Sequence, residues 1–185
     1  MALTEIIFHG RGGQGAVTAA NILASSAIKS GNKGVQTFPL FGAERRGAPV
    51  KAFARISDEE IYVRSQIYEP DIVVVLDTGI MDSVDVTAGL KKDGIIILNT
   101  PRSPEEIDMP FTIATVDATS IAIERGIKVG GIPVVNTPIV GTLPRVMKNL
   151  SIEKVKEAIM ERWKGDAGKK NALAAEDAYK TVRIK

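Results

Sequence analysis

The sequence predicts an α/β fold: a Rossmann-like, mainly parallel sheet with helices on both faces and a β-hairpin insertion, in a single domain spanning residues 1–185. Three observations predict it. Short β-branched runs, of which Ile72-Val73-Val74-Val75-Leu76 is the clearest, alternate with amphipathic helical segments. The first strand-like run passes through a glycine-rich turn straight into a helix of small residues. The 185 residues, 44% of them hydrophobic, suit one domain with a substantial core.

Leu3 to Phe8 opens as a buried strand. Glycines follow at 10, 12, 13 and 15, and Ala16 to Ser30 places Val17, Ala20, Leu23, Ala24 and Ala27 on one helical face, with Gly31 as its stop. Gly34 to Phe38 is a second strand and Val50 to Ile56 a third, separated by a glycine-rich loop from Pro39 to Pro49. Ile61 to Arg64 is expected to return along the third strand as a hairpin, with its turn at Ser57 to Glu60. Asp71 to Leu76 has the continuous β-branched character of a central parallel strand. Met81 to Leu90 is expected to be largely helical, and Gly94 to Asn99 and Thr112 to Val116 are further strands. Asp117 suits the cap of a helix that ends near Arg125 at Gly126. From Thr137 onward the pattern is mostly helical. Pro138 fits a helix start and Pro144 divides that helix, Ser151 caps Ile152 to Trp163, and Asn171 to Tyr179 forms another helix.

Composition narrows the function classes. Lys and Arg number 24 against 22 Asp and Glu, a net charge of +2, which is too balanced for a nucleic-acid partner. The basic stretch Lys164 to Lys170 contains Asp166 and suits solvated helix ends and turns. The absence of cysteine excludes thiolate-held clusters, disulfides and a cysteine nucleophile within this chain. The apolar runs fall well short of the roughly 20 residues of a membrane span, and Leu3 to Phe8, with Glu5 inside it, lacks a signal-peptide pattern. The expectation is a soluble, cytoplasmic protein without a membrane partner.

Gly10-Arg11-Gly12-Gly13-Gln14-Gly15 satisfies G-x-G-x-x-G between a strand and a helix. Such glycines let backbone N–H groups approach an anion, and the helix dipole favours a phosphate there. They also permit close packing of strand and helix, and the glycines alone do not choose between the two. A dinucleotide site needs an acid at the end of the second strand to bind a ribose hydroxyl. That strand ends Thr37-Phe38-Pro39, and the nearest acid, Glu44, lies in the next loop. Ordinary NAD binding is therefore disfavoured, while Arg45 or Arg46 leaves an NADP 2′-phosphate open.

His9 is the only histidine and directly precedes the turn; a structural role is favoured over catalysis, and no catalytic residue is assigned. No histidine pair or carboxylate spacing suggests a metal site. Asp77 follows the central strand at its C-terminal end, where α/β ligand sites lie, and a helix-capping role is favoured. Asn99 and Asn136 follow strand-like runs and could line the same crevice. Trp163 and Tyr179 are read as packing residues or subunit contacts.

The form G-x-G-G-Q-G at residues 10–15 resembles the gamma subunit, or fused gamma domain, of pyruvate, 2-oxoisovalerate and 2-oxoglutarate ferredoxin oxidoreductases. A second block, Gly42-Ala43-Glu44-Arg45-Arg46-Gly47-Ala48, is similar to that family's G-x-E-x-R-G-G loop, with Ala48 where a second glycine is usual. A weaker third match runs from Asn136 to Gly141. The resemblance covers nearly the whole chain, through Trp163 at least.

The resemblance implies conversion of a 2-oxoacid, with pyruvate as the first expectation, and coenzyme A to acyl-CoA and carbon dioxide, with electrons passed to ferredoxin. It implies thiamine diphosphate, Mg and iron–sulfur clusters held by alpha, beta and delta-type subunits, with none bound by this chain alone. It suggests that this subunit covers the active site and helps bind coenzyme A. On this basis Gly10, Arg11, Gly12, Gly13, Gln14 and Gly15 are candidates for an anion of coenzyme A, with Asn136 beside them. Arg46 is a candidate contact to coenzyme A or a neighbouring subunit, oriented by Glu44; the alternative is an ion pair that stiffens the loop. The isolated chain is expected to be inactive and could form a homodimer through the surface meant for its partners. Competing expectations are an independent NADP-binding oxidoreductase and a purely structural subunit whose glycine turn is empty.

Overall fold

The computed structural model describes residues 3–40 and 47–185. The chain runs β1 (Leu3–Arg11), α1 (Ala16–Lys29), β2 (Gly34–Pro39), β3 (Pro49–Ser57), β4 (Ile72–Val75), β5 (Ile95–Asn99), β6 (Thr112–Val116), α2 (Ala118–Glu124), β7 (Lys128–Val129), β8 (Ile132–Pro133), α3 (Asn136–Thr142), α4 (Ile152–Arg162), α5 (Gly165–Thr181) and β9 (Arg183–Ile184). All four residues of β4 are buried, and β4 is the middle of a seven-stranded sheet ordered β2-β3-β1-β4-β5-β6-β9. β1, β4, β5 and β6 run parallel. β3 is antiparallel to both β1 and β2, and β9 to β6. The α/β sheet that the β-branched runs predict is therefore present.

Alternation along the strands sorts side chains to two faces. Ile6, Phe8, Ile72, Val74, Ile97 and Ala114 join the larger apolar cluster, to which α1, α2, α3, α4 and α5 contribute. Val73, Val75, Ile96, Leu98 and Ile113 point the other way, into a smaller cluster with Ile80, Val86, Leu90 and Ile107. The covering of this second face differs from expectation. Met81 to Leu90 is not a helix; a 3-10 turn at Thr78–Asp82 is followed by irregular chain. Asp85 accepts hydrogen bonds from the Thr87 amide and hydroxyl, a local side-chain turn that competes with helix. Gly89 then adopts φ +79 against the Tyr68 carbonyl, where a helical residue with a side chain does not fit.

The expected return of Ile61 to Arg64 along β3 is also corrected. Both edges of β3 are already taken, by β1 and β2, so no edge remains for another strand. Residues 61–64 are irregular, and Gln36 holds them by donating from Nε2 to the Ile61 carbonyl at 3.1 Å. The antiparallel pairing of the inserted segment is supplied by β2 with β3 instead.

One charged pair lies deep in this region. Arg55 is 1% exposed and sits opposite Glu5 in the β1–β3 register. Its Nε donates to Glu5 Oε1 at 2.7 Å, its Nη2 donates to the Gln66 carbonyl at 3.2 Å, and its guanidinium lies 5.5 Å from the centre of the Phe38 ring. Arg55 Nη1 is buried with no hydrogen-bond partner among the described residues.

The helical end follows the sequence more closely. Ser151 caps α4, its oxygen accepting from the Lys154 amide at 3.3 Å. Asp117 caps α2 by accepting from the Ser120 amide at 2.9 Å. Trp163 and Tyr179 pack partly buried against the main cluster. α5 begins at Gly165, six residues before the expected start, so the Lys164 to Lys170 stretch is largely its first turns. Gly168 is inside this helix as a packing residue: it lies against the Trp163 carbonyl and the backbone of Met160, where a β-carbon has no room.

Candidate functional site

β1 delivers the glycine turn to the C-terminal edge of the parallel strands, next to the end of β4. The turn closes on itself: the Gln14 amide donates to the Arg11 carbonyl at 3.0 Å, and the Arg11 amide donates to Gln14 Oε1 at 2.7 Å. It is also stitched to the start of β3. The Gly12 amide donates to the Ala48 carbonyl at 2.8 Å, and the Gly47 amide donates to the Gly12 carbonyl at 3.2 Å.

The glycines have different jobs. At Gly10 a β-carbon would meet Gln14 Oε1 at 3.3 Å and Leu76 Cβ at 3.5 Å, so Gly10 permits close packing of strand, turn and helix. Gly13 has φ +97, and among the described residues nothing lies within 4 Å of where a β-carbon would stand. Gly15, at φ +85, caps α1 in the left-handed conformation and has no side chain to offer the helix mouth. Ala19 is the first helical amide to find a carbonyl, that of Gly15. The amides of residues 16–18 are therefore open at the mouth among the described residues, a set of donors suited to an anion.

Asn136, at the start of α3, stands beside this mouth. It is 5% exposed, and its Oδ1 accepts from the Thr137 amide at 2.8 Å while its side-chain nitrogen abuts Gly15. The structure thus brings Gly10 to Gly15 and Asn136 together, as the sequence suggests. Glu44 and Arg46 lie outside the described residues, although Gly47 and Ala48, from the same block, contact the turn directly.

Other candidates are assigned to structure. Asn99 spends its side-chain amide on the Leu76 carbonyl at 2.8 Å and Thr119 Oγ1 at 3.0 Å, tying β5 to β4 and α2. His9 is 2% exposed on the face opposite the helices, and burial, together with the charge of Lys51, lowers its pKa to about 4. It is a neutral imidazole at ordinary pH. Asp77 does more than cap. Its Oδ1 accepts from the Gly79 amide at 2.9 Å at the head of the 3-10 turn, as a cap does, but its Oδ2 accepts from Arg11 Nε at 2.9 Å and from Gln14 Nε2 at 3.0 Å. Asp77 loses free energy to desolvation, the largest single effect, yet these bonds together hold its pKa below the ordinary carboxylate value. Sequence reasoning placed it at the right strand end and missed its partners, which are 63 and 66 residues away.

A parallel α/β sheet whose first strand, glycine turn and open helix mouth meet at the C-terminal edge defines a nucleotide-fold protein of Rossmann-like type. The sequence pattern of one family, pyruvate ferredoxin/flavodoxin oxidoreductase, matches residues 5–181; the chain belongs to that family, as a gamma-type subunit of a multisubunit 2-oxoacid:ferredoxin oxidoreductase. It is 56% identical to the common gamma subunit of the pyruvate/ketoisovalerate oxidoreductases of Thermococcus kodakarensis, over 97% of this chain and 98% of that one. It is 53% identical to the pyruvate synthase subunit PorC of Methanocaldococcus jannaschii, over 96% of each. The crystal structure of the pyruvate oxidoreductase subunit PORC of Thermotoga maritima superposes with a TM-score of 0.85 at 34% identity, over 100% of this chain and 99% of that one. Among the described residues, no helix is long and apolar enough to cross a membrane.

Proposed function

We propose that this subunit helps to bind coenzyme A and to cover the thiamine site of the assembled oxidoreductase, the mouth of α1 receiving one phosphate group of coenzyme A. The observation that carries this is the mouth of α1, which no side chain caps among the described residues, with none of them within 4 Å of a β-carbon position on the neighbouring Gly13. Open amides and the helix dipole favour an anion by about 0.3–2 kcal/mol, depending on burial. Asn136 adds an amide side chain at the same place.

Thiamine diphosphate with Mg, bound by larger partner subunits, would supply the carbanion chemistry, and iron–sulfur clusters the route of electrons to ferredoxin. A chain without cysteine has no thiolate for such clusters. Partners of alpha, beta and delta type fit this division of labour. What this chain does in the reaction is to fix the phosphate end of coenzyme A so that the thiol end reaches the acyl group held elsewhere. Relatives that are subunits favour this over an independent NADP-binding oxidoreductase.

Gly13→Asp in the assembled complex tests the proposal. The new carboxylate stands at the mouth and repels phosphate, so KM for coenzyme A rises about tenfold or more, equivalent to at least ~1.4 kcal/mol. An unchanged KM for coenzyme A rejects it.

A further inference from the structure

We infer that Asp77 is a positioning residue for the coenzyme A site, holding Arg11 and Gln14 so that the glycine turn keeps one shape at the helix mouth. This rests on the proposed phosphate role of that mouth. Leu76 donates from its amide to the His9 carbonyl at 2.8 Å, which brings the residue after it alongside the end of β1. There the Asp77 carboxylate takes three donors: Arg11 Nε, Gln14 Nε2 and the Gly79 amide.

A carboxylate can only accept, so the Gln14 side chain must turn its nitrogen toward Asp77. That leaves Gln14 Oε1 facing the Arg11 amide, which donates to it at 2.7 Å. Asp77, Gln14 and Arg11 thus form a closed ring of hydrogen bonds spanning residues 11–14. Arg11 extends the ring by donating from Nη1 to the Gly47 carbonyl at 3.3 Å, on the second glycine block. One carboxylate therefore holds the Arg11 and Gln14 side chains in place, adding to the backbone bonds that close the turn and tie it to Gly47 and Ala48. Gly79 keeps the arrangement open: a β-carbon there would stand 3.1 Å from Asp77 Oδ1 and 3.4 Å from Arg11 Nη2.

The test uses the assembled complex with Asp77→Asn, which keeps the volume and one oxygen for the Gly79 amide, and Gly13→Asp beside it. With an amide at 77, an N–H donor replaces the oxygen that accepts from Arg11 Nε and Gln14 Nε2, so both bonds to the turn are lost. KM for coenzyme A is expected to rise about tenfold, with kcat and KM for the 2-oxoacid unchanged. Gly79→Ala, which presses on the pair without removing charge, moves KM for coenzyme A the same way by a smaller factor. If Gly13→Asp raises that KM while Asp77→Asn and Gly79→Ala do not, this inference falls and the phosphate site stands. If Gly13→Asp has no effect, both fall. A loss of kcat, a rise in KM for the 2-oxoacid, or failure of the Asp77→Asn complex to assemble assigns Asp77 to general folding and overturns the inference.

Discussion

Gly15 lies so close to Asn136 that a β-carbon on the glycine would stand 2.5 Å from the asparagine Nδ2. The contact joins the start of α1 to the start of α3 across 121 positions of sequence, from 15 to 136. Gly15→Ala therefore meets two penalties: a left-handed backbone, costing roughly 1–2 kcal/mol for a residue with a side chain, and displacement of Asn136. Among the described residues Gly13→Ala meets only the first, since none lies within 4 Å of its β-carbon position. Urea unfolding of the two variants should show the larger loss for Gly15→Ala; equal losses would refute the close approach.

Glu5 and Arg55 form an ion pair whose arginine is almost wholly buried. Glu5→Gln leaves that guanidinium without its counter-charge and should cost about 3–5 kcal/mol. The double variant Glu5→Leu/Arg55→Met removes both charges and should recover much of the loss. Chemical denaturation of the single and double variants measures the difference, and a double variant no better than the single one counts against it.

His9 predicts a pH dependence. Its folded pKa of about 4 lies below the ordinary value of 6.5, so the unfolded chain takes up a proton first as pH falls. The stability it contributes is complete above about pH 6.5 and is lost as pH drops from there toward 4, by roughly 3 kcal/mol in all. Lys51 across the β1–β3 pair and Asp85 from the covering segment act on the ring in opposite senses. His9→Gln should flatten the stability profile between pH 6.5 and 5, as read from urea midpoints.

Gly141 in α3 rests against the Ala175 backbone of α5 with no room for a methyl group. Gly141→Ala should force the two helices apart, costing about 1–3 kcal/mol or more, and lower the melting temperature. A variant as stable as the parent would mean that the helices adjust freely.

Much of the fold is legible in local patterns. Ile72 to Val75 identifies itself as a central strand because burial on both faces demands β-branched residues throughout. The glycine turn is legible because its residues are contiguous. What escapes is set by distant partners. Nothing near Ile61 indicates that β2 has already occupied the edge of β3. The apolar spacing of Met81 to Leu90 resembles a helix, yet the requirement at Gly89 comes from the Tyr68 carbonyl, on a separate stretch of chain. Gly165 and Gly168 resemble a turn, although Gly168 is inside a helix because α4 approaches it. At the site, the glycine-turn residues proposed to meet a ligand are visible in sequence, whereas the bonds of Asp77 to Arg11 and Gln14 become visible only once β1 and β4 lie side by side.

The two sides of β4 do not share one fate. Val73 and Val75 belong to the cluster covered by irregular chain and short 3-10 turns, whereas Ile72 and Val74 lie beneath the helical layer. A coil cover with few backbone bonds of its own lifts at lower free energy than packed helices. Opening is therefore expected to be one-sided, with proteolysis beginning on the flank of residues 78–90 while the helical layer stays packed on the other side of the sheet.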